Sequence, residues 1–289
     1  MDARTRALFE VNIDDILSAF GWERMPALRA LVRAAARRPA LLFAREMAAF
    51  DDRAGASGLE PAARALLSGF VRGITVAGAE RIPRRGPVLL LSNHPGMTDT
   101  LALFAAVPRA DLRILAAERP FLRALPAVWR SLILIPEERG QRFGALRRAI
   151  DHLRSGGALL TFPAGEIEPD PAVLPGAASA LSRWSESAAV FLRLVPDCTV
   201  VPIVVSGVLA RGAQRHPLTL LRRKRADRER LGAMLQVLMH TLRPGRWRVR
   251  VRVDVPRAFG GGEFSADAAA ARAALMDTVA GILRLREQA

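Results

Sequence analysis

The sequence predicts an α/β fold, a mixed and largely parallel β-sheet flanked by helices, with a helical subdomain before it. From about residue 73, short β-rich runs alternate with amphipathic helical stretches. Two of these runs, 88–91 and 200–205, are uninterruptedly apolar, which is typical of strands buried on both faces. Before them the periodicity is helical. We therefore expect a helical, candidate membrane-associating region over residues 1–71 and an α/β domain over residues 72–289.

The remaining elements follow from the same patterns. Near the C-terminus the sequence alternates strictly, with Trp247 and three valines on one side and four arginines on the other, as in a half-buried strand near a sheet edge. The arginine row is read as a solvated face that discourages aggregation, in preference to a phosphate-binding face. The other strands are expected at 74–76, 88–91, 112–115, 132–135, 158–162 and 200–205, and helices at 143–153 and 178–193.

The N-terminal region contains a basic amphipathic helix between two prolines, Pro26 and Pro39. Its apolar residues (Leu28, Leu31, Val32, Ala35) fall on one face and three arginines (Arg29, Arg33, Arg37) on the other. Such a helix either lies on an anionic bilayer or covers the protein core, and most amphipathic helices do the latter. A second helix is expected at 40–50, followed by a polar linker at 51–58.

The net positive charge limits the classes of partner that the protein can bind. The 289 residues carry a formal charge of +15, which must be met by nucleic acid, anionic lipid headgroups or an acidic protein. The absence of tyrosine, an aromatic content of 6% and the lack of any recognition-helix or zinc-finger pattern argue against nucleic acid. The cluster 222–225 is the better candidate for a lipid headgroup contact.

The cysteine content, the histidine spacing and the hydropathy argue against disulfide-bonded, metal-binding and membrane-spanning proteins, respectively. The single cysteine, Cys198, fits a reducing cytoplasm and is expected to be a buried strand residue. Four scattered histidines do not form a recognisable metal site. No apolar run approaches the roughly 20 residues of a membrane-spanning helix, so membrane contact is expected to be peripheral.

The chemistry is concentrated where the strand at 88–91 ends. It is followed by Asn93, His94, Pro95 and Gly96, and a helix is expected to begin with Asp99 in its first turn. If His94 lies just before that helix, Asp99 can reach back to it. A histidine held by a carboxylate can take a proton from an attacking hydroxyl near neutral pH. Taken alone, however, this spacing occurs by chance in many proteins.

Four sequence blocks follow one another in order. The blocks are Asn93-His94-Pro95-Gly96-Met97-Thr98-Asp99, Ile135-Pro136-Glu137-Glu138-Arg139, Phe162-Pro163-Ala164-Gly165-Glu166 and Val201-Pro202-Ile203. With them the sequence resembles the PlsC-type glycerolipid (lysophospholipid) acyltransferases over roughly residues 72–255. The first block, 93–99, matches that family's NHxxxxD signature, and the third, 162–166, is similar to its FPEGT motif.

This resemblance implies direct attack of an acceptor hydroxyl, activated by His94 and Asp99, on an acyl thioester of coenzyme A or acyl carrier protein. No metal or tightly bound cofactor is implied. The acceptor would be a lysolipid of the 1-acylglycerol-3-phosphate type, and the enzyme would be cytoplasmic and peripheral on the inner face of the cell membrane. The implied substrate-binding residues are Asn93, Arg139, Phe162, Pro163, Gly165 and Glu166. Arg139 would hold the acceptor phosphate, and Gly165 could offer an N–H to the thioester oxyanion.

The third block departs from the family pattern. Its usual Glu is Ala164 and its Thr is Glu166, and further acids follow at 168 and 170. A phosphate there would be repelled unless Glu166 points away or pairs with an arginine, so the acceptor could instead be an amino- or hydroxy-lipid. A non-catalytic lipid-binding protein that retains the fold remains the alternative. A serine hydrolase is not supported, because the sequence contains no Gly-x-Ser-x-Gly motif.

Overall fold

The computed structural model describes residues 1–136, 138, 140, 142–185 and 187–288, and the chain separates into two compact units. The helical unit comprises Met1–Arg72, Arg119–Trp129 and Leu209–Val249. The sheet unit comprises Gly73–Glu118, Arg130–Val208 and Arg250–Ala289. The domain boundary expected from the sequence, between residues 71 and 72, stays a prediction.

A seven-stranded sheet forms the second unit. Its strands are β1 (Val71–Ala77), β2 (Val88–Ser92), β3 (Arg113–Ala117), β4 (Leu132–Ile135), β5 (Ala158–Thr161), β6 (Thr199–Ser206) and β7 (Val249–Asp254). They lie in the order β1-β7-β6-β2-β5-β3-β4. The five strands from β6 to β4 are parallel, and β7 is antiparallel to β6. The predicted mixed, largely parallel sheet with flanking helices is thereby confirmed.

The central strands are apolar because helices cover both faces of the sheet. Every residue of β2 is buried, and so is every residue of β6 except Thr199. Leu89, Leu159 and Val200 pack in one core with aromatic side chains such as Phe191. Burying a side chain of this size stabilises a fold by about 1.5–3 kcal/mol. The centre of the sheet is thus a firm support for the loops at its ends.

The described residues also form α-helices. In chain order they are α1 (Ala3–Phe20), α2 (Pro26–Ala35), α3 (Arg37–Ser57), α4 (Leu59–Phe70), α5 (Met97–Ala106), α6 (Pro120–Arg123), α7 (Pro126–Trp129), α8 (Arg142–Arg154), α9 (Ala177–Ala180), α10 (Ser187–Leu194), α11 (Arg211–Gln214), α12 (Arg225–Leu242), α13 (Gly261–Ala266) and α14 (Ala268–Glu287). The helix expected at 178–193 is in fact divided between α9, a 3-10 turn and α10.

Helices α1 to α4 form the N-terminal helical region. The linker expected at 51–58 was wrong, because α3 continues through it to Ser57. Asp51 explains the error. Its side chain is buried, and Oδ1 accepts hydrogen bonds of 2.9 Å from the backbone N–H groups of Ala127 and Val128 in α7. A carboxylate that caps another helix looks like a loop residue in the sequence.

Helix α2 buries only part of its apolar face, since Leu28 is half-buried and Ala35 is exposed. Among its residues only Val32 is buried, and the side chain of Leu31 is 63% exposed. Arg29 and Arg33 instead face α1, where they form ion pairs with Asp14 and Glu10. The helix therefore covers the protein interior with only part of its apolar face, while its arginines pair with carboxylates on α1. No helix in the described part of the chain combines the length and hydropathy needed to cross a bilayer.

Candidate active site

The candidate site lies where three parallel strands end. β2 lies between β5 and β6 and is parallel to both, so the carboxyl ends of all three meet at one edge of the sheet. Asn93 and His94 follow β2, and Phe162 and Pro163 follow β5. Loops at this edge of a parallel sheet are where α/β proteins place their ligands. The first and third sequence blocks are therefore neighbours in the fold.

His94 and Asp99 form a hydrogen-bonded pair. Asp99 is the third residue of α5, and its fully buried carboxylate accepts a 2.9 Å bond from Nδ1 of His94. The same Oδ2 accepts from the backbone N–H of Gly96 at 2.8 Å, while Oδ1 accepts from the Thr100 hydroxyl. Asp99 thus caps α5 and reaches back to the histidine, as the spacing predicts. Because a carboxylate only accepts, the proton of the neutral imidazole sits on Nδ1 and Nε2 is left as the basic atom.

The electrostatic surroundings make His94 a stronger base. Burial of the ring lowers its pKa, but the charge of Asp99, the hydrogen bond to Asp99 and the charge of Glu168 together raise it further, so that the net pKa lies above its ordinary value. The side chain keeps 25% of its exposure. Among the residues that the structure describes, none forms a hydrogen bond with Nε2. This nitrogen is consequently available to a substrate.

Glu168 holds the backbone of His94 from the loop after β5. Its Oε2 accepts from the His94 N–H at 3.0 Å, and its own N–H donates to the His94 carbonyl at 2.8 Å. The other oxygen accepts from the indole N–H of Trp184 at 2.9 Å. Burial raises the pKa of Glu168, although these hydrogen bonds oppose the rise. Glu168 therefore fixes the position of the histidine and adds a negative charge near it.

Sequence reasoning missed this role of Glu168 and Trp184. Glu168 is expected from the sequence only as part of an acidic run, and no spacing rule joins it to a histidine 74 positions earlier. The nearby Asp170 is equally committed, since its fully buried carboxylate accepts from the N–H groups of Ala172, Gly207 and Val208. The two buried acids of this loop, Glu168 and Asp170, thus both hold backbone groups of the protein itself.

Phe162 lies beside the pair, and Pro163 follows it in the chain. The Phe162 ring stacks on the His94 imidazole, with 4.3 Å between centroids and 25° between planes. Pro163 is buried, and its carbonyl accepts from the N–H of Ser185. The phenyl ring restricts the imidazole to one orientation and gives its surroundings an apolar side.

The turn after Pro163 presents Gly165 and Glu166 to solvent. Gly165 has φ of 67°, a conformation that favours glycine, and its N–H donates to the Phe162 carbonyl at 3.0 Å. That N–H is therefore already engaged in this structure. Glu166 forms a 2.8 Å ion pair with Arg183. Pairing with an arginine is the arrangement that the sequence requires if a phosphate is to approach this turn.

Asn93 is engaged with the neighbouring strand. Its side-chain N–H₂ donates to the Val205 carbonyl at 2.8 Å, and its Oδ1 accepts from the Val205 N–H at 2.7 Å. The residue as a whole is 1% exposed. These bonds fasten the end of β2 to β6 directly before His94. Arg139, the expected phosphate ligand, lies outside the described residues.

Comparison with known proteins identifies the domain that carries this site. A sequence profile described as "Acyltransferase" matches residues 73–206. The match covers a little less than half of the chain and shows that this segment is similar to the acyltransferase family. The acyltransferase segment contains both His94 and Asp99, together with Phe162, Glu168 and Trp184. The recognition from the four sequence blocks is thus confirmed at the level of the family.

The solved structures include a distant match. The chain resembles the crystal structure of the 1-acyl-sn-glycerophosphate (LPA) acyltransferase PlsC from Thermotoga maritima. The TM-score is 0.45 and the identity 16%, over 97% of this chain and 93% of that chain. None of the curated proteins compared matches this chain.

The arrangement in the acyltransferase segment suits proton transfer at Nε2. Within the described parts of the chain, no three His, Cys, Asp or Glu side chains come together as a set of metal ligands. Cys198 is buried immediately before β6, and burial raises the pKa of its thiol to about 12, so it does not supply a thiolate nucleophile. The base with an open nitrogen is His94.

Proposed function

We propose that this protein transfers a fatty acyl group from an acyl thioester to a hydroxyl of a glycerolipid-type acceptor. The observation that carries the proposal is the His94–Asp99 pair inside an acyltransferase-family segment, with Nδ1 bound to the carboxylate and Nε2 open. The donor is acyl coenzyme A or acyl carrier protein, and the acceptor is a lysophospholipid or a related hydroxyl-bearing lipid.

The chemistry needs no covalent acyl-enzyme. The acceptor hydroxyl gives its proton to Nε2 of His94 as its oxygen attacks the thioester carbonyl carbon. The resulting tetrahedral intermediate collapses, the carbon–sulfur bond breaks, and the imidazolium returns the proton to the departing thiolate. Asp99 stabilises the imidazolium and keeps Nε2 directed at the acceptor. General base catalysis of this kind contributes about 10²- to 10⁴-fold to a rate.

The substrate-binding roles are proposed with different support. Phe162 stacks on His94 and offers an apolar wall beside the reacting atoms. Gly165 and Glu166 lie at the exposed turn beside Pro163, where pairing with Arg183 offsets the charge of Glu166 that would repel an anionic headgroup. Asn93 supports His94 through its two bonds to β6. Arg139 is proposed as the ligand of an acceptor phosphate from the sequence alone.

We further propose that the protein works on the inner face of the cell membrane as a peripheral protein. Its formal charge of +15 favours anionic lipid headgroups and the acidic acyl carrier protein. Leu31 of α2, which is 63% exposed, supports contact with a bilayer. The sparse aromatic content argues against nucleic acid as the partner.

The test is thiol release from acyl coenzyme A and acyl carrier protein thioesters in the presence of a panel of lysolipid acceptors. We expect release that depends on the acceptor and disappears in His94→Ala. His216→Asn is the matched control, because its Nδ1 accepts from the Leu218 N–H as a helix cap and asparagine can replace that cap. Full activity in His94→Ala would refute the mechanism.

A non-catalytic lipid-binding protein is the second candidate function. The departures at Ala164 and Glu166 from the family's third block favour it. It predicts that the folded wild-type protein binds lipid vesicles but releases no thiol with any acceptor of the panel. Acceptor-dependent release in the same experiment excludes it.

A further inference from the structure

A short segment of the helical unit buries its polar side chain and exposes its apolar ones. Residues 217–225, here called the leucine–arginine segment, contain the 3-10 turn Pro217–Leu221 and the start of α12. The one polar side chain of the turn, Thr219, is 4% exposed, and its hydroxyl donates to the His216 carbonyl at 2.8 Å. Its leucines point outward instead, with exposures of 39% for Leu218, 68% for Leu220 and 57% for Leu221.

The segment is held in this arrangement. Its first residues are capped by Nδ1 of His216, which accepts from the Leu218 N–H. At its other end, Arg222 pairs with Asp227 at 2.9 Å, and its guanidinium fills the space that a side chain on Gly21 would occupy. The leucines are therefore exposed by a fixed turn whose two ends are both bonded.

Two cations lie directly beside the leucines. Arg223 and Lys224 are exposed, and no ion pair or hydrogen bond joins their side chains to any other residue that the structure describes. Their neighbours differ, since Arg222 pairs with Asp227 and Arg225 with Glu229. The segment thus offers three apolar side chains and two available positive charges within seven residues.

We propose that the leucine–arginine segment docks the protein on an anionic phospholipid surface. Leu218, Leu220 and Leu221 insert at the boundary between headgroups and acyl chains, and Arg223 and Lys224 bind the lipid phosphates. A lipid leaflet supplies an apolar interior and an anionic surface within the reach of one turn. A nucleic acid has no such interior, and a second copy of this chain carries the same charge of +15 and repels it. This inference rests on the proposed function, because it names the membrane contact of that enzyme.

The test is sedimentation of the full chain with phosphatidylcholine vesicles, with and without phosphatidylglycerol. We expect R223E/K224E to bind anionic vesicles at least about 25-fold more weakly, since each cation near a membrane surface is worth about fivefold. We expect L220S/L221S to bind more weakly as well, by about fivefold for each leucine. Both variants should retain wild-type turnover on an acceptor dispersed in detergent.

The matched control is R84E/R85E, a pair of adjacent exposed arginines in the sheet unit with no exposed leucines beside them. It changes the net charge equally and should keep most of the vesicle binding. An equal loss in R84E/R85E, or normal binding by L220S/L221S, would overturn the proposal. So would self-association through the segment in place of vesicle binding. Vesicle binding that depends on the segment, without turnover in detergent, would support the docking surface and refute the proposed enzyme.

Discussion

Asp99→Asn separates the charge of the buried carboxylate from its shape. In the variant, the amide oxygen can accept from Gly96 and from Nδ1 of His94, as Oδ2 does now, and the amide N–H₂ can donate to the Thr100 hydroxyl. The cap of α5 and the tautomer of the histidine are then both preserved. What is lost is the negative charge 2.9 Å from the ring nitrogen.

The size of the effect follows from the pKa of His94. An opposite charge at this range shifts a pKa by about 1–3 units, which corresponds to about 1.4–4 kcal/mol. If the imidazolium is fully formed in the transition state, kcat falls by about 10- to 1000-fold. KM should change little, because the Asp99 side chain is fully buried and does not reach the acceptor.

The pH dependence of activity shows the direction in which Asp99 changes the pKa of His94. The folded protein raises the pKa of His94 above its ordinary value, chiefly through Asp99 against the opposing effect of burial. Activity therefore declines as the pH falls through that raised pKa, and Asp99→Asn should move this acid limb to lower pH. The assay is thiol release from the acyl thioester across pH.

The control is Asp111→Asn, a carboxylate of the sheet unit that pairs with Arg109 and is 46% exposed in its side chain. It should leave both kcat and the acid limb unchanged. A wild-type kcat in Asp99→Asn, or an acid limb that stays in place, would show that Asp99 is only the cap of α5.

Three other outcomes are expected. Trp184→Phe removes the N–H donor to Glu168, so the fold should lose about 1–3 kcal/mol in urea denaturation. The carboxyl should then ionise less readily and the acid limb of activity should move to lower pH, whereas a purely structural role would leave that limb unmoved. Arg183→Ala frees Glu166 and should raise KM for a phosphate-bearing acceptor by up to about fivefold. KM for a neutral acceptor should not change, and Arg193→Ala, on the exposed side of α10, should affect neither. Cys198, fully buried with a thiol pKa of about 12, should react with maleimide only at the rate of unfolding; rapid labelling of the native protein would contradict its burial.

The sequence by itself determined the alternation of strands and helices and the place of the catalytic candidates. Strands β2 and β6 are uninterrupted apolar runs because they are buried on both faces, and this pattern is readable without the fold. His94 and Asp99 are close in sequence, so the geometry of one helix start is enough to bring them together. Local contacts of this kind follow from local rules.

Only the tertiary structure decided what surrounds the pair and which faces meet solvent. Glu168, itself held by Trp184, reaches His94 because β5 lies beside β2, a pairing that joins segments far apart in the chain. Helix α2 and the leucine–arginine segment expose leucines because their arginines or threonine find polar partners inside the helical unit. An amphipathic pattern gives two faces but does not say which one the protein buries, since that choice depends on the charges and hydrogen-bonding groups of whatever packs against it.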